Sequence, residues 1–198
     1  MFHFPIQTRP VIRPHPPNFV WGAGAFTDAE LDKINAYAET LPAQQVKVGD
    51  DLQNRPDLNR SITRWLIPSA ETQWIYQKIG TMVALLNMQH YKYDLTGFDE
   101  PLYHVTYPAS QRGHYDWHAD VSVDGQPMRK LSITFQMTDP AAYDGGDLEM
   151  NWTGTSQKCP RERGKLILFP SRQLHRVTPV TRGSRSALVA WVVGPPLR

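Results

Sequence analysis

The feature that most constrains this chain is a change of pattern after Tyr91. Before it, apolar residues recur at helical spacing. After it, short runs rich in β-branched and aromatic residues alternate with turn signals. Seven runs stand out, at 102–107, 115–121, 130–138, 147–151, 165–169, 174–178 and 185–193. They are broken by Asp124-Gly125, Asp144-Gly145-Gly146, Pro170 and Arg182-Gly183. Helices followed by this many short strands predict a mainly β fold, a sandwich or jelly roll, with N-terminal helices packed on one sheet.

The helices are read from residues upstream. Pro5, Pro10, Pro14, Pro16 and Pro17 crowd the first twenty positions, which predicts an extended arm, because proline removes backbone donors and fixes φ. Thr27 and Glu30 make a capping-box pattern, and Leu31, Ile34, Tyr37, Ala38 and Leu41 follow at helical spacing, so a helix is expected over about 28–41, stopped by Pro42. A second helix is expected after Ser69, with Trp74, Ile75, Ile79, Met82, Val83 and Leu86 on its apolar face up to about Met88. The expected organisation is one domain: an arm over 1–20, a helical support over 21–90 and a β core over 91–194.

Composition excludes some classes. The net charge of +2 favours neither a nucleic-acid nor a membrane partner. A single cysteine, Cys159, excludes an intrachain disulfide framework and a multi-cysteine zinc site. Residues 1–10 hold no apolar run of the kind a secretory signal carries, and no long apolar stretch follows, so a soluble, cytoplasmic protein is expected. Charge is segregated: residues 94–150 hold ten acidic and three basic side chains, residues 158–185 eight basic and one acidic. Cross-strand pairing accounts for this most simply; a site for an anion is the alternative.

The chemistry sits in His118-Ala119-Asp120. On a strand, residues i and i+2 share a face about 6.6 Å apart, so an imidazole and a carboxylate reach one metal ion. One more histidine completes a two-His, one-carboxylate triad, which leaves open positions on iron(II). The motif alone is weak: chance gives about half a match in a chain of this composition, and His114-Tyr115-Asp116 overlaps it. The distal half decides. His175 follows Pro170, and Arg185 lies beyond Arg182-Gly183, where a hairpin is expected to return it alongside the strand of His175. Arg185 shares a row with Ala187, Val189 and Trp191. A cation on so small and apolar a row requires an anion, such as the far carboxylate of a dicarboxylate whose keto-acid end binds the metal. In 131–138 one row reads Leu131, Ile133, Phe135, Met137, expected against the helices, and the other Ser132, Thr134, Gln136, Thr138, expected to face either a polar pocket or solvent.

These residues resemble the iron(II)/2-oxoglutarate-dependent dioxygenases, in their prolyl 4-hydroxylase-like branch. The stretch Asp139-Pro140 through Tyr143-Asp144-Gly145-Gly146-Asp147-Leu148, then Phe169-Pro170-Ser171 to Leu174-His175-Arg176-Val177-Thr178-Pro179-Val180, resembles bacterial PKHD-type hydroxylases. Tyr107-Pro108, Gly113 and Tyr115 resemble the oxygen-sensing prolyl hydroxylases of animals. The resemblance implies a double-stranded β-helix. It also selects His118 and Asp120 over the overlapping pair, since Tyr115 stands three residues before the family's histidine. It implies iron(II) on His118, Asp120 and His175, 2-oxoglutarate on Arg185 with Tyr107 and Gln136 as further contacts, O2 as cosubstrate and ascorbate as a stimulant.

The resemblance implies hydroxylation of an amino-acid side chain, prolyl first, in a peptide, protein or free amino acid. Tyr115, Trp117 and Trp191 are expected to wall the substrate pocket, and Arg60 and Arg64, ahead of the second helix, to engage a backbone or carboxylate. Val121 departs from the polar residue common after the motif's aspartate. His104 and His114 lie near the motif and are read as structural or substrate-facing, and Cys159 has no catalytic partner in view. Three alternatives stay open: a nucleic-acid alkylation-repair dioxygenase, a zinc hydrolase on the same ligands, and a non-catalytic jelly-roll binding module. Sequence leaves the substrate and the oligomeric state open.

Overall fold

The computed structural model describes residues 16–45, 55–122 and 128–195. Most of the proline-rich arm therefore lies outside the described residues, as does Asp124-Gly125. The described chain opens with the short strand β1 (Val20–Gly22), an edge strand of the larger sheet. Helix α1 (Asp28–Thr40) carries the expected capping box, with the Thr27 hydroxyl accepting from the Glu30 N–H and the Glu30 carboxylate accepting from the Thr27 N–H. Its apolar stripe, Leu31, Ile34 and Ala38, is buried, and each large aliphatic side chain so buried stabilises by about 1.5–3 kcal/mol.

Between the helices lie β2 (Gln44–Gln45) and β3 (Ile62–Leu66), so the support region is not purely helical. Helix α2 (Gln73–Leu86) starts later than its pattern predicts. The Thr72 hydroxyl accepts from the Ser69 N–H and donates to the Ile67 carbonyl, closing residues 69–72 into a turn. A π-helical turn over Asn87–Tyr91 ends the element, and Lys92 in the left-handed region stops it.

The β core follows as β4 (Gly97–Phe98), β5 (Leu102–Pro108), β6 (Tyr115–His118), β7 (Met128–Gln136), β8 (Asp144–Gly145) and β9 (Leu148–Trp152). It is completed by β10 (Thr155–Lys158), β11 (Leu166–Pro170), β12 (His175–Val177), β13 (Val180–Arg182) and β14 (Ser184–Gly194). The larger sheet runs β1-β11-β7-β14-β5-β3-β2 with β4 on β14; the smaller runs β10-β9-β12-β6, and β13 pairs with β8. All these pairings are antiparallel.

One face of the larger sheet packs on the helices: Leu131, Ile133, Phe135 and Met137 share a core with Leu31, Ile34, Ile75, Ile79 and Val83. The other face meets the smaller sheet through Val105, Tyr107, Leu148, Met150, Phe169 and Val177. The central strand β7 is therefore covered on both faces, and its polar row, Ser132, Thr134 and Gln136, is buried between the sheets.

The segregated charge resolves as cross-strand pairing. Asp144 binds Arg182, Asp147 binds Lys158 and Arg161, and Glu149 binds Arg176. Arg185 has no such acidic partner among the described residues. One expectation fails here: β14 does not lie alongside β12. It pairs with β5 and β7 in the larger sheet, while β12 pairs with β6 and β9 in the smaller one. The detour through the single strand β13 carries the chain across the sandwich, so Arg185 and His175 belong to opposite sheets.

Candidate metal and keto-acid site

Three ligand atoms converge between the sheets. The donor atoms of His118, Asp120 and His175 all lie within 4.8 Å of one another. His118 ends β6 and stands opposite His175 in register. Asp120 lies just past the strand end rather than in a strand, held by its N–H donating to the Ser171 carbonyl. Its oxygens face the two rings, Oδ1 at 3.6 Å from His118 Nε2 and Oδ2 at 3.5 Å from His175 Nε2.

The surrounding bonds orient these donors. His118 Nδ1 sits 2.7 Å from the Asp116 carbonyl and His175 Nδ1 2.8 Å from the Gln173 carbonyl. A carbonyl accepts only, so each ring carries its proton on Nδ1 and turns an Nε2 lone pair toward the carboxylate. The Ser132 hydroxyl donates to Asp120 Oδ2 at 2.7 Å. Burial pushes the His118 imidazole down to about 4, and the neighbouring His175 adds to that shift. Burial works to raise the Asp120 carboxyl, but His175, His118 and the Ser132 hydroxyl outweigh it and hold it below its ordinary value. A neutral imidazole beside an ionised carboxylate is the state a metal ion requires.

Arg185 is 1% exposed. Its Nη2 donates to the neutral Gln136 carbonyl at 3.0 Å, its guanidinium lies 5.4 Å over the Tyr107 ring, and its Nε has no partner. Tyr107 is its cross-strand neighbour, with a phenol that burial pushes up to about 12. Gln136 is fixed from its other end by donating to the Pro160 carbonyl. Gly146 makes room for the arginine: at φ +62° it is left-handed, and a Cβ there would stand 3.0 Å from Arg185 Cδ. Among the described residues no acid neutralises this cation.

The remaining expected site residues divide. Tyr115 lies flat on the His118 ring, centroids 3.5 Å apart. Trp191 is buried beside Asp120, under the Arg129 guanidinium at 3.8 Å. Trp117 is not in the pocket. A bulge in β6 sets both Tyr115 and His118 opposite β12 residues that face inward, while Trp117, the neighbour of His118, alternates to the other face over Arg176. Arg64 is also misplaced by the expectation. It pairs with His104 on the helix-covered face of β3 and β5. His104 lies there too, bonded to Asn35. Arg60 is exposed beside β6 and donates Nε to the Pro56 carbonyl. His114 has both ring nitrogens against carbonyls, those of Arg112 and Asp57, and is no ligand.

Comparison with known proteins agrees with this geometry. Residues 103–193 match the pattern of the 2OG-Fe(II) oxygenase superfamily. That stretch, just under half of the chain, is similar to the superfamily. A PKHD-type hydroxylase of Teredinibacter turnerae is 40% identical over 85 residues, 40% of this chain and 38% of that protein. The PKHD-type hydroxylase YbiX of Escherichia coli is 41% identical over 83 residues, 39% of this chain and 37% of that protein. The chain thus spans under two fifths of the length of these curated relatives.

The fold is shared more widely. A Pseudomonas putida prolyl-4-hydroxylase superposes with a TM-score of 0.68 over 90% of this chain and 94% of its own, at 19% identity. A Trichoplax adhaerens prolyl hydroxylase, solved with a hypoxia inducible factor peptide fragment, gives 0.72 over 89% and 84%, at 16% identity. The superfamily implies iron(II), 2-oxoglutarate and O2. The residues fit them: two imidazoles and one carboxylate suit iron(II), and an unneutralised buried guanidinium suits the far carboxylate of the keto acid. No helix among the described residues is long and apolar enough to cross a bilayer.

Proposed function

We propose that the protein hydroxylates an amino-acid side chain, prolyl before others, in a peptide, protein or free amino acid. The reaction converts a C–H bond, 2-oxoglutarate and O2 into C–OH, succinate and CO2. Arg185 carries this reading: a cation 1% exposed, with an unpartnered Nε and only a neutral oxygen on Nη2, is stabilised once a carboxylate joins it.

Iron(II) with bound 2-oxoglutarate supplies the O2 chemistry. The chain's own residues bind and orient. His118 Nε2, His175 Nε2 and an Asp120 oxygen hold the metal, and Ser132 keeps the carboxylate turned. Arg185, with Gln136 and Tyr107, takes the distal carboxylate. Tyr115 and Trp191 flank the reacting carbon and limit water, and ascorbate stimulates turnover by keeping the iron reduced. The alkylation-repair reading draws little from the basic segment, since Lys158, Arg161, Arg176 and Arg182 already pair with acids. The test is mass spectrometry of capped peptides and free amino acids incubated with protein, iron(II), 2-oxoglutarate and O2. A product heavier by one oxygen atom, with stoichiometric succinate, is expected. Succinate with no oxygenated product in either set, but with dealkylation of methylated DNA, overturns the assignment.

A further inference from the structure

Three aromatic side chains join the candidate metal site to solvent. Trp191, 9% exposed, stands opposite Ser132 in register, and the Ser132 hydroxyl bonds Asp120. Tyr103 meets the Trp191 ring edge-on, centroids 5.2 Å apart. Trp65, the cross-strand partner of Tyr103, stacks on it at 5.7 Å with the planes 13° apart. Both ring pairs lie within the range of direct aromatic contact. Trp65 is 40% exposed, so it is the end of the series that solvent reaches. Two charged groups act on the series. The Arg129 guanidinium lies 3.8 Å over the Trp191 ring, where it opposes any positive charge on the indole. The Tyr103 phenol donates to Glu100 Oε2 at 3.2 Å, and Arg129 Nε holds Glu100 Oε1 at 2.8 Å.

Among side chains without sulfur, indole and phenol give up an electron most readily, and a phenol does so only where its proton has an acceptor. Packing alone requires neither a carboxylate on the Tyr103 hydroxyl nor an indole left open at the outer end. We propose that Trp65, Tyr103 and Trp191 form an electron relay that carries reducing equivalents from ascorbate in solution to the metal site when a turnover finds no substrate. Such a turnover converts 2-oxoglutarate and O2 to succinate and CO2. It leaves the site two electrons above iron(II), with the second oxygen atom of O2 unspent. Two electrons and two protons turn that atom into water; ascorbate supplies both and becomes dehydroascorbate. Each electron passes inward from Trp65 to Tyr103 to Trp191. The Tyr103 proton shifts to Glu100 as its electron leaves and returns as the next one arrives. The cation over Trp191 keeps positive charge from resting beside the metal ligands. The inference rests on the oxygenase reading and concerns how that site is protected from its own oxidant.

The test exposes the iron(II)- and 2-oxoglutarate-loaded protein to O2 without substrate, with and without ascorbate. One readout is the organic radical signal in electron paramagnetic resonance of freeze-quenched samples. The other is the gain of one oxygen atom on the peptides that carry Tyr115 and Trp191, read by mass spectrometry. In the wild type a radical is expected that ascorbate removes, and ascorbate is expected to prevent the oxygen gain. Tyr103→Phe and Trp65→Phe are expected to keep the iron–keto-acid absorption band and to lose the protection by ascorbate. Trp65→Tyr, which puts back a ring that can be oxidised, is expected to regain it. A merely structural role would not separate tyrosine from phenylalanine at position 65. Protection that survives in both phenylalanine variants, its loss in Trp65→Tyr as well, or a wild type without the radical overturns the relay. So does loss of the absorption band in either phenylalanine variant. Absence of that band in the wild type overturns the oxygenase reading instead.

Discussion

Replacing Arg185 by methionine should make the ligand-free protein more stable while abolishing its response to 2-oxoglutarate. The guanidinium makes one bond to a neutral oxygen, Gln136 Oε1, at 3.0 Å, and lies 5.4 Å over Tyr107. Those contacts contribute about 1 kcal/mol and about 0.5–1 kcal/mol. Against them stands the desolvation of a cation that is 1% exposed and unpaired, several kcal/mol in effect. Methionine fills much of the same volume without charge and leaves only the Gln136 oxygen without its partner. The net expectation is a gain of about 1–3 kcal/mol, which raises the melting temperature by about 2–10 °C in a chain of this size. With 2-oxoglutarate at a hundredfold excess over its dissociation constant, the wild type gains about 2.7 kcal/mol and the variant nothing. Differential scanning calorimetry with manganese(II) in place of iron, with and without 2-oxoglutarate, reads both effects. A variant that melts below the wild type without ligand, or that keeps the full ligand shift, refutes the idea that this cation is held for a carboxylate.

Other perturbations follow from the same geometry. Ser132→Ala removes the hydroxyl that holds Asp120 Oδ2 and is expected to weaken manganese(II) or iron(II) binding about 10–100-fold in a metal titration. His104, on the helix side, is pushed down to about 4 by burial, with Arg64 adding to the shift. Its folded value lies below its unfolded one, so its contribution is intact above about pH 6.5 and is lost as pH falls toward 4. Denaturant melts should show the stability difference between wild type and His104→Gln shrinking by about 2–3 kcal/mol across that window; a constant difference contradicts it. Burial pushes the Cys159 thiol up to about 12, so it should resist iodoacetamide in the native protein at pH 8 and label fully once unfolded.

Much of this was legible because local alternation decides which side chains share a face. The two rows of β7 and the row Arg185, Ala187, Val189, Trp191 could be read from parity alone, and the capping box at Thr27 located α1 to within a residue. Alternation is silent on partners. It put Arg185 on a small, apolar row but not in a sheet, since whether a chain doubles back or crosses the sandwich depends on long-range pairing. A bulge inverts parity with no strong local signature, and that is why Tyr115 faces in together with His118, while Trp117, next to His118, lands outside by ordinary alternation. Strand β3 escaped notice beside two strong helical patterns, although Ile62, Thr63 and Trp65 carry β preference. With β3 unread, Arg60 and Arg64 drew attention by their charge.

The central claim is that His118, Asp120 and His175 hold iron(II) facing a keto acid anchored by Arg185. Visible absorption of the anaerobic protein with iron(II) and 2-oxoglutarate tests it most directly. The wild type should develop a weak charge-transfer band that appears only when both are present, and His118→Ala and His175→Ala should lack it. A band undiminished in His118→Ala, or none in the wild type, would contradict the account.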